Sequence, residues 1–157
     1  MKNHPRSVFV FCLLVGLAAL PALSEEGKPP VRIAIIGLVH THVRGFLPQA
    51  LTNAEVQVVG IVEPDQKLVA EFAQRYQIST NLFYASLEEL FAKTNVQAVA
   101  TFTSTFDHRR VVEACAPRGI HVMMEKPLAV NMEHARAMAG AAKKGKKSMG
   151  EMGGTGF

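Results

Sequence analysis

The sequence predicts an α/β fold, a parallel sheet covered by helices on both faces, and three observations predict it. Apolar runs rich in valine and isoleucine recur at Val31–Ile36, Val56–Val62, Val96–Phe102 and Ile120–Met124. Stretches such as Ile33–Ile36 and Val58–Val62 are apolar at successive rather than alternate positions, as strands buried on both faces are. Between the runs, apolar residues recur at helical spacing, as Leu68, Val69, Phe72 and Ala73 do.

Taken in order, Val31–Ile36 closed by Gly37 reads as a central strand, and Val43 to Leu51 as a helix that Pro48 shortens or bends. Val56–Val62 is the second strand, ending at Glu63, and Pro64 suits the first position of a helix reaching Tyr76. Leu82–Tyr84 forms a short strand, and Ser86 with Glu89 three residues on caps a helix from Leu87 to Lys93. Val96–Phe102 follows, then a helix from His108 to Arg118 closed by Gly119, with Pro117 in or just past its last turn. Strand Ile120–Met124 stops before Pro127, which cannot donate to a ladder, and Asn131 caps a helix to Lys144. Right-handed crossovers turn this alternation into a Rossmann-like, doubly wound parallel sheet of five strands in a single domain, residues 31–144. From Gly145 the pattern collapses into a glycine-dense stretch, so 145–157 is expected to be a disordered tail, with no further strand.

The start of the chain reads differently. Lys2 and Arg6 precede an apolar run from Val8 to Leu20, and Pro21 and Ala22-Leu23-Ser24 follow. This is the pattern of a secretory signal peptide spanning 1–24, cleaved after Ser24, with 25–30 as linker. The run is shorter than the ~20 apolar residues that cross a bilayer, which argues against an anchor. The expected location is therefore periplasmic or secreted, by the general export route, since no twin arginine precedes the run. Beyond the leader Cys115 is the only cysteine, so neither an intrachain disulfide nor a cysteine metal cluster can form, and Cys115 reads as a packing residue. The formal charge of +4 includes a solvated run at Lys143, Lys144, Lys146 and Lys147. No basic stripe interleaved with aromatics marks a nucleic-acid surface.

Ligands of open α/β sheets bind outside the carboxyl ends of the strands, so the residues there carry the chemistry. The first such turn is Gly37-Leu38-Val39-His40-Thr41-His42, which keeps only the first glycine of the Gly-x-Gly-x-x-Gly phosphate turn. Val39 stands at the close-approach position and His42 where the third glycine packs helix on strand. Glu63 lies about 20 residues on, the spacing at which an acid accepts hydrogen bonds from an adenosine ribose. A carboxylate there repels a 2′-phosphate, which favours NAD over NADP. His40 and His42 form a His-x-His pair, assigned to hydrogen bonding of backbone or phosphate at the helix start or to packing; two imidazoles alone do not complete a zinc site, so no metal is assigned. Thr103, Ser104 and His108 leave the fourth strand, as ligand contacts or as ordinary helix-start residues. In Glu125-Lys126-Pro127, Lys126 sits at a strand's carboxyl end, where a lysine can donate a proton to a substrate oxygen; the plainer alternative is a surface Lys–Glu pair beside a turn proline.

Together, Val31–Gly37, Glu63-Pro64, the segment from Tyr84 to Leu90, Thr103 to His108 and above all Gly119 to Ala129 resemble the amino-terminal domain of the glucose-fructose oxidoreductase, inositol dehydrogenase and rhizopine-catabolism (Gfo/Idh/MocA) family. The resemblance implies an NAD(P)-binding Rossmann domain followed by a larger α/β domain, and hydride transfer to or from sugars, polyols and related compounds. It implies that Lys126 is catalytic, moving the proton that accompanies hydride, with Glu125 and Pro127 holding it in place. It further implies that Glu63 contacts the ribose, that Thr103, Ser104 and His108 border the cofactor, and that Gly37, Val39, His40, Thr41 and His42 face the pyrophosphate. The second domain is missing from this sequence, so the expectation is a fragment of an exported oxidoreductase with little turnover. Substrate would be engaged only if the missing domain is supplied, and the uncovered face would favour self-association. Two other readings stand beside this one. A non-catalytic Rossmann-like module for a sugar or protein partner is motivated by Val39 and His42, and a metal-binding protein by His40 and His42.

Overall fold

The computed structural model describes residues 28–146 and 149–151; the leader expected over 1–24 lies outside the described residues. Among the described residues no helix is long and apolar enough to cross a membrane. The elements alternate as β1 (Val31–Ile36), α1 (Val43–Thr52), β2 (Val56–Val62), α2 (Gln66–Tyr76), β3 (Phe83–Tyr84), α3 (Leu87–Lys93), β4 (Ala98–Thr101), α4 (His108–Cys115), β5 (His121–Met124), α5 (Met132–Gly145) and β6 (Met149–Glu151). All strand pairs are parallel, in the order β3-β2-β1-β4-β5-β6. This is the strand order of the dinucleotide-binding Rossmann sheet.

Successive residues of the central strands serve opposite faces. From β1, Ala34 and Ile36 join Leu87, Leu90, Val111, Val112 and Met138 in the core under α3, α4 and α5. Ile35 joins Val43, Leu47, Phe72 and Phe102 in the core under α1 and α2. This two-sided burial is why the strands read as apolar at successive positions.

Local signals behave as their chemistry requires. The Ser86 hydroxyl accepts from the Glu89 N–H at 3.2 Å, and the Asn131 side chain accepts from the His134 N–H at 2.8 Å, each satisfying an orphan donor of a first turn. Gly119 closes the turn after α4 at φ +71°, the left-handed conformation glycine adopts without a Cβ penalty. Pro48 lies inside α1, which continues to Thr52.

Three expectations are corrected. Pro64 is not the first helical residue: Asp65 is the N-cap of α2 and accepts from the Lys67 N–H at 2.8 Å. The helix expected to reach Arg118 ends at Cys115, and a turn of 3₁₀ helix over Ala116–Arg118 accommodates Pro117. The tail expected to lack structure carries a sixth strand: Val122, Met123 and Met124 of β5 pair with Met149, Gly150 and Glu151. A three-residue edge strand containing glycine has too little periodicity to announce itself; its neighbour in the sheet defines it.

Candidate functional site

The strand order reverses between β1 and β4, so the crevice outside their carboxyl ends is the ligand position of this topology. Three segments meet there: the β1–α1 turn, the β4–α4 loop and the segment after β5.

In the first, Gly37 has φ +80°, and a Cβ built on it would stand 2.7 Å from Thr103 Cγ2 and 3.0 Å from Thr103 N. Only glycine fits between the two loops. The Gly37 N–H donates to Val62 O at 2.8 Å and the His40 N–H to Phe102 O at 3.1 Å, pinning the turn to the sheet on both sides. The Val43 and Arg44 N–H groups donate to His40 O and Thr41 O. The Val39 and Thr41 N–H groups have no protein acceptor among the described residues, and both residues are exposed. Free backbone donors at a helix start form a site for an anion.

Glu63 is 4% exposed, and its carboxylate brackets two loops. One oxygen accepts from the Leu38 N–H at 2.8 Å and the other from the Asp65 N–H at 3.0 Å. Its first task is therefore to hold the β1–α1 turn, a role its position in the sequence did not disclose. A carboxylate has about four acceptor sites, so these two bonds leave capacity for further donors.

From β4, the Thr101 and Thr103 hydroxyls lie 3.0 Å apart, and the Ser104 hydroxyl donates to Asp107 Oδ2 at 2.6 Å. Asp107 escaped the sequence reading, although a Ser-x-x-Asp spacing before a helix is a recognisable capping signal. His108 is buried; its Nδ1 lies 3.2 Å from Leu128 O, while its Nε2 has no hydrogen-bond partner among the described residues. The imidazole thus ties α4 to the backbone just beyond Pro127. The Lys126–Pro127 peptide bond is cis.

Glu125 is 4% exposed, whereas Lys126 and Pro127 are exposed. The surface Lys–Glu pair does not exist. The Glu125 carboxylate turns inward to His42, with Nδ1 3.0 Å from Oε2. Lys126 Nζ makes no hydrogen bond or ion pair among the described residues, and Lys126 itself follows β5 at the carboxyl edge of the sheet, one strand from the switch point. Of the two helix-start bonds expected of the His42 ring, to backbone or to phosphate, the backbone capping bond to α1 is not made among the described residues. His40 stacks edge-on to the His42 ring at 4.7 Å between centroids, its Nδ1 accepting from the His42 N–H at 3.4 Å. The structure thus brings His40, His42 and Glu125 together, whereas Glu63 and Ser104 make no hydrogen bond or ion pair to them among the described residues.

Residues 31–151, most of the chain, match the family model described as "Oxidoreductase family, NAD-binding Rossmann fold", Gfo/Idh/MocA. The chain belongs to the Gfo/Idh/MocA oxidoreductase family. It is 34% identical over 94 residues to mouse (Mus musculus) trans-1,2-dihydrobenzene-1,2-diol dehydrogenase, an alignment covering 60% of this chain and 28% of the relative. It is 32% identical over 112 residues to 1,5-anhydro-D-fructose reductase of Ensifer adhaerens, covering 71% and 33%. Among solved structures, Lactobacillus plantarum myo-inositol 2-dehydrogenase superposes with a TM-score of 0.67 at 20% identity, covering 78% of this chain and 36% of that one. Bordetella pertussis WlbA dehydrogenase, in complex with NADH and UDP-GlcNAcA, gives 0.68 at 18% identity, covering 80% and 35%. The chain thus spans about a third of the length of the relatives it matches.

This Gfo/Idh/MocA domain is an NAD-binding domain, and its residues fit a dinucleotide in three respects. Gly37 leaves the cradle free of a Cβ, the Val39 and Thr41 N–H groups are unspent, and a carboxylate ends β2. The Leu38 N–H, by contrast, is already bound to Glu63.

Proposed function

We propose that this chain supplies the cofactor half of an oxidoreductase that transfers hydride between NAD and a hydroxyl-bearing carbon of a sugar, polyol or related diol. The free, exposed ammonium of Lys126, a residue one strand from the switch point, carries the reading. The chain on both sides of Lys126 is held: Glu125 is buried against His42, and two positions beyond Lys126 the Leu128 carbonyl lies against His108 Nδ1. Lys126 is therefore the residue positioned to exchange a proton with a substrate oxygen, accepting it as the amine during oxidation and returning it as the ammonium during reduction. The nicotinamide, when bound, accepts or donates the hydride. The Val39 and Thr41 N–H groups would receive the pyrophosphate, Gly37 would allow its approach, and Glu63 would meet the adenosine ribose through its remaining lone pairs. That carboxylate disfavours a 2′-phosphate. Thr103, Ser104 and His108 would line the nicotinamide side.

The substrate side would come from the part of the relatives' length that this chain does not span, so residues 1–157 alone are expected to turn over little. Export through the leader over 1–24 belongs to the same proposal, and recovery of a form beginning at Glu25 outside the cytoplasm tests it. The deciding experiment is calorimetric titration with NADH and NADPH. NADH should bind and NADPH should bind more weakly; no NADH binding up to millimolar cofactor overturns the reading. The second reading, a Rossmann-like module for a sugar or protein, is favoured by the exposed Val39 side chain and by the His42–Glu125 bridge across the turn. It prevails if Val39→Gly with His42→Gly creates NADH binding that the parent lacks.

A further inference from the structure

We propose that His40, His42 and Glu125 form a binding site for one divalent transition-metal ion, with zinc the best match. Sequence spacing leaves the two histidines without a third ligand, and the fold supplies it from the end of β5. One donor atom from each of the three residues lies within 4.8 Å of the other two, and the closest pair, His42 Nδ1 and Glu125 Oε2, is 3.0 Å apart. Ligands about 2.0–2.1 Å from a tetrahedral ion stand about 3.3 Å from one another, so the cluster needs only to tighten on its wider side.

The division of mobility favours that tightening. Glu125 is buried at the end of β5, with a side chain 5% exposed, and serves as a fixed anchor. His42 has a side chain 53% exposed, and His40 is half-buried in the same turn, so both rings can rotate onto an ion. His40 Nδ1 is engaged only by a long 3.4 Å contact with the His42 N–H, and the ion would replace the direct His42–Glu125 contact with a bond to each of the two residues.

Charge points the same way. Glu125 is a buried carboxylate that pairs with no lysine or arginine among the described residues, and its one ion-pair partner is an imidazole. Buried carboxylates are normally matched by a cation or by several hydrogen bonds. A divalent ion held by this carboxylate and two neutral imidazoles satisfies that need. Two imidazoles and one carboxylate also make the donor set of open zinc centres, in which a fourth position remains for water or a ligand oxygen. Magnesium and calcium prefer all-oxygen sites and fit this set poorly.

The test uses the purified full chain after chelator treatment and dialysis, without nucleotide. Zinc titrated by calorimetry should bind with one-to-one stoichiometry, and cobalt(II) should give the intense visible bands of a tetrahedral site. His40→Ala and His42→Ala, both on the turn, should each weaken zinc by more than about 100-fold, beyond what loss of an outer partner costs. Glu125→Gln should do the same, and circular dichroism should show all three variants folded. If Glu125→Gln fails to fold, the two histidine variants decide. His121→Ala, at the opposite end of β5, should leave affinity unchanged. Absence of stoichiometric zinc uptake by the parent overturns the proposal, as does uptake insensitive to His42→Ala. NADH titrated into the same metal-free protein reports the cofactor reading separately, so either idea can fail while the other stands.

Discussion

Replacing Gly37 by alanine should damage both the fold and the cofactor site, and the structure gives the size of the effect. At φ +80° a Cβ is strained, which costs roughly 1–2 kcal/mol for an L-residue in the left-handed region. The same Cβ would stand 2.7 Å from Thr103 Cγ2 and 3.0 Å from Thr103 N, and overpacking of this kind costs roughly 1–3 kcal/mol. The two causes together come to about 3 kcal/mol, a large part of the 5–15 kcal/mol that typically holds a domain folded. With a urea slope of about 1–3 kcal/mol per molar, the unfolding midpoint should fall by about 1–3 M at unchanged slope. Because only part of the loss is steric, Gly37→Ala combined with Thr103→Ser, which removes Cγ2, should recover some stability but not all. Urea melts followed by circular dichroism, with an NADH titration on each variant, give the comparison. A midpoint for Gly37→Ala indistinguishable from the parent refutes the close-approach reasoning. Full recovery in the double variant would mean that backbone strain contributes nothing.

Glu63→Gln replaces a charged acceptor of two backbone N–H groups by an amide that can present only one oxygen, so either the buried Leu38 N–H or the part-buried Asp65 N–H is left opposite a donor. Hydrogen bonds to charged groups contribute roughly 1.5–3 kcal/mol, and a loss of about that size should appear in the same melts; a change under about 0.5 kcal/mol would contradict the bracketing role. Burial pushes the Cys115 thiol from 9.0 up to about 12, so the native thiolate is scarce at ordinary pH. Iodoacetamide at pH 8 should therefore leave Cys115 unmodified in the folded chain and label it after unfolding, as peptide mass mapping would show. Since the folded value is raised, this thiol's contribution to stability is complete below about pH 9 and is lost as pH climbs towards 12. Phe106 and Val130 are 67% and 47% exposed in loops after β4 and β5, Met132 is 63% exposed at the start of α5, and Val39 is 61% exposed after β1. Phe106→Ser with Met132→Ser should shift the sedimentation profile towards monomer; an unchanged profile would remove this face from any self-association.

Much of the architecture was readable because its causes are local. The β-branched run before Gly37 specifies a buried strand, and Ser86 and Asn131 name two helix starts through bonds spanning three residues. Gly119 marks a left-handed turn. The misses have non-local causes. Strand β6 exists through its pairing with β5, and Pro64 falls outside α2 because Asp65 offers the capping carboxylate. The inward turn of Glu125 depends on an imidazole more than eighty positions earlier.

The sequence by itself determined the alternation of strands and helices from β1 to α5, the family resemblance carried by Glu125-Lys126-Pro127, and the residues gathered at the carboxyl edge of the sheet. Those follow from periodicity, capping and the stop that proline imposes, all properties of neighbours along the chain. Only the tertiary structure decided what each side chain at that edge does. It committed Glu63 to the β1–α1 turn, freed Lys126 from its acidic neighbour, and set Glu125 against His40 and His42. The physical reason is that partners of a buried carboxylate are chosen by proximity after the sheet has closed, and proximity across β1, β4 and β5 is written in no local stretch of sequence.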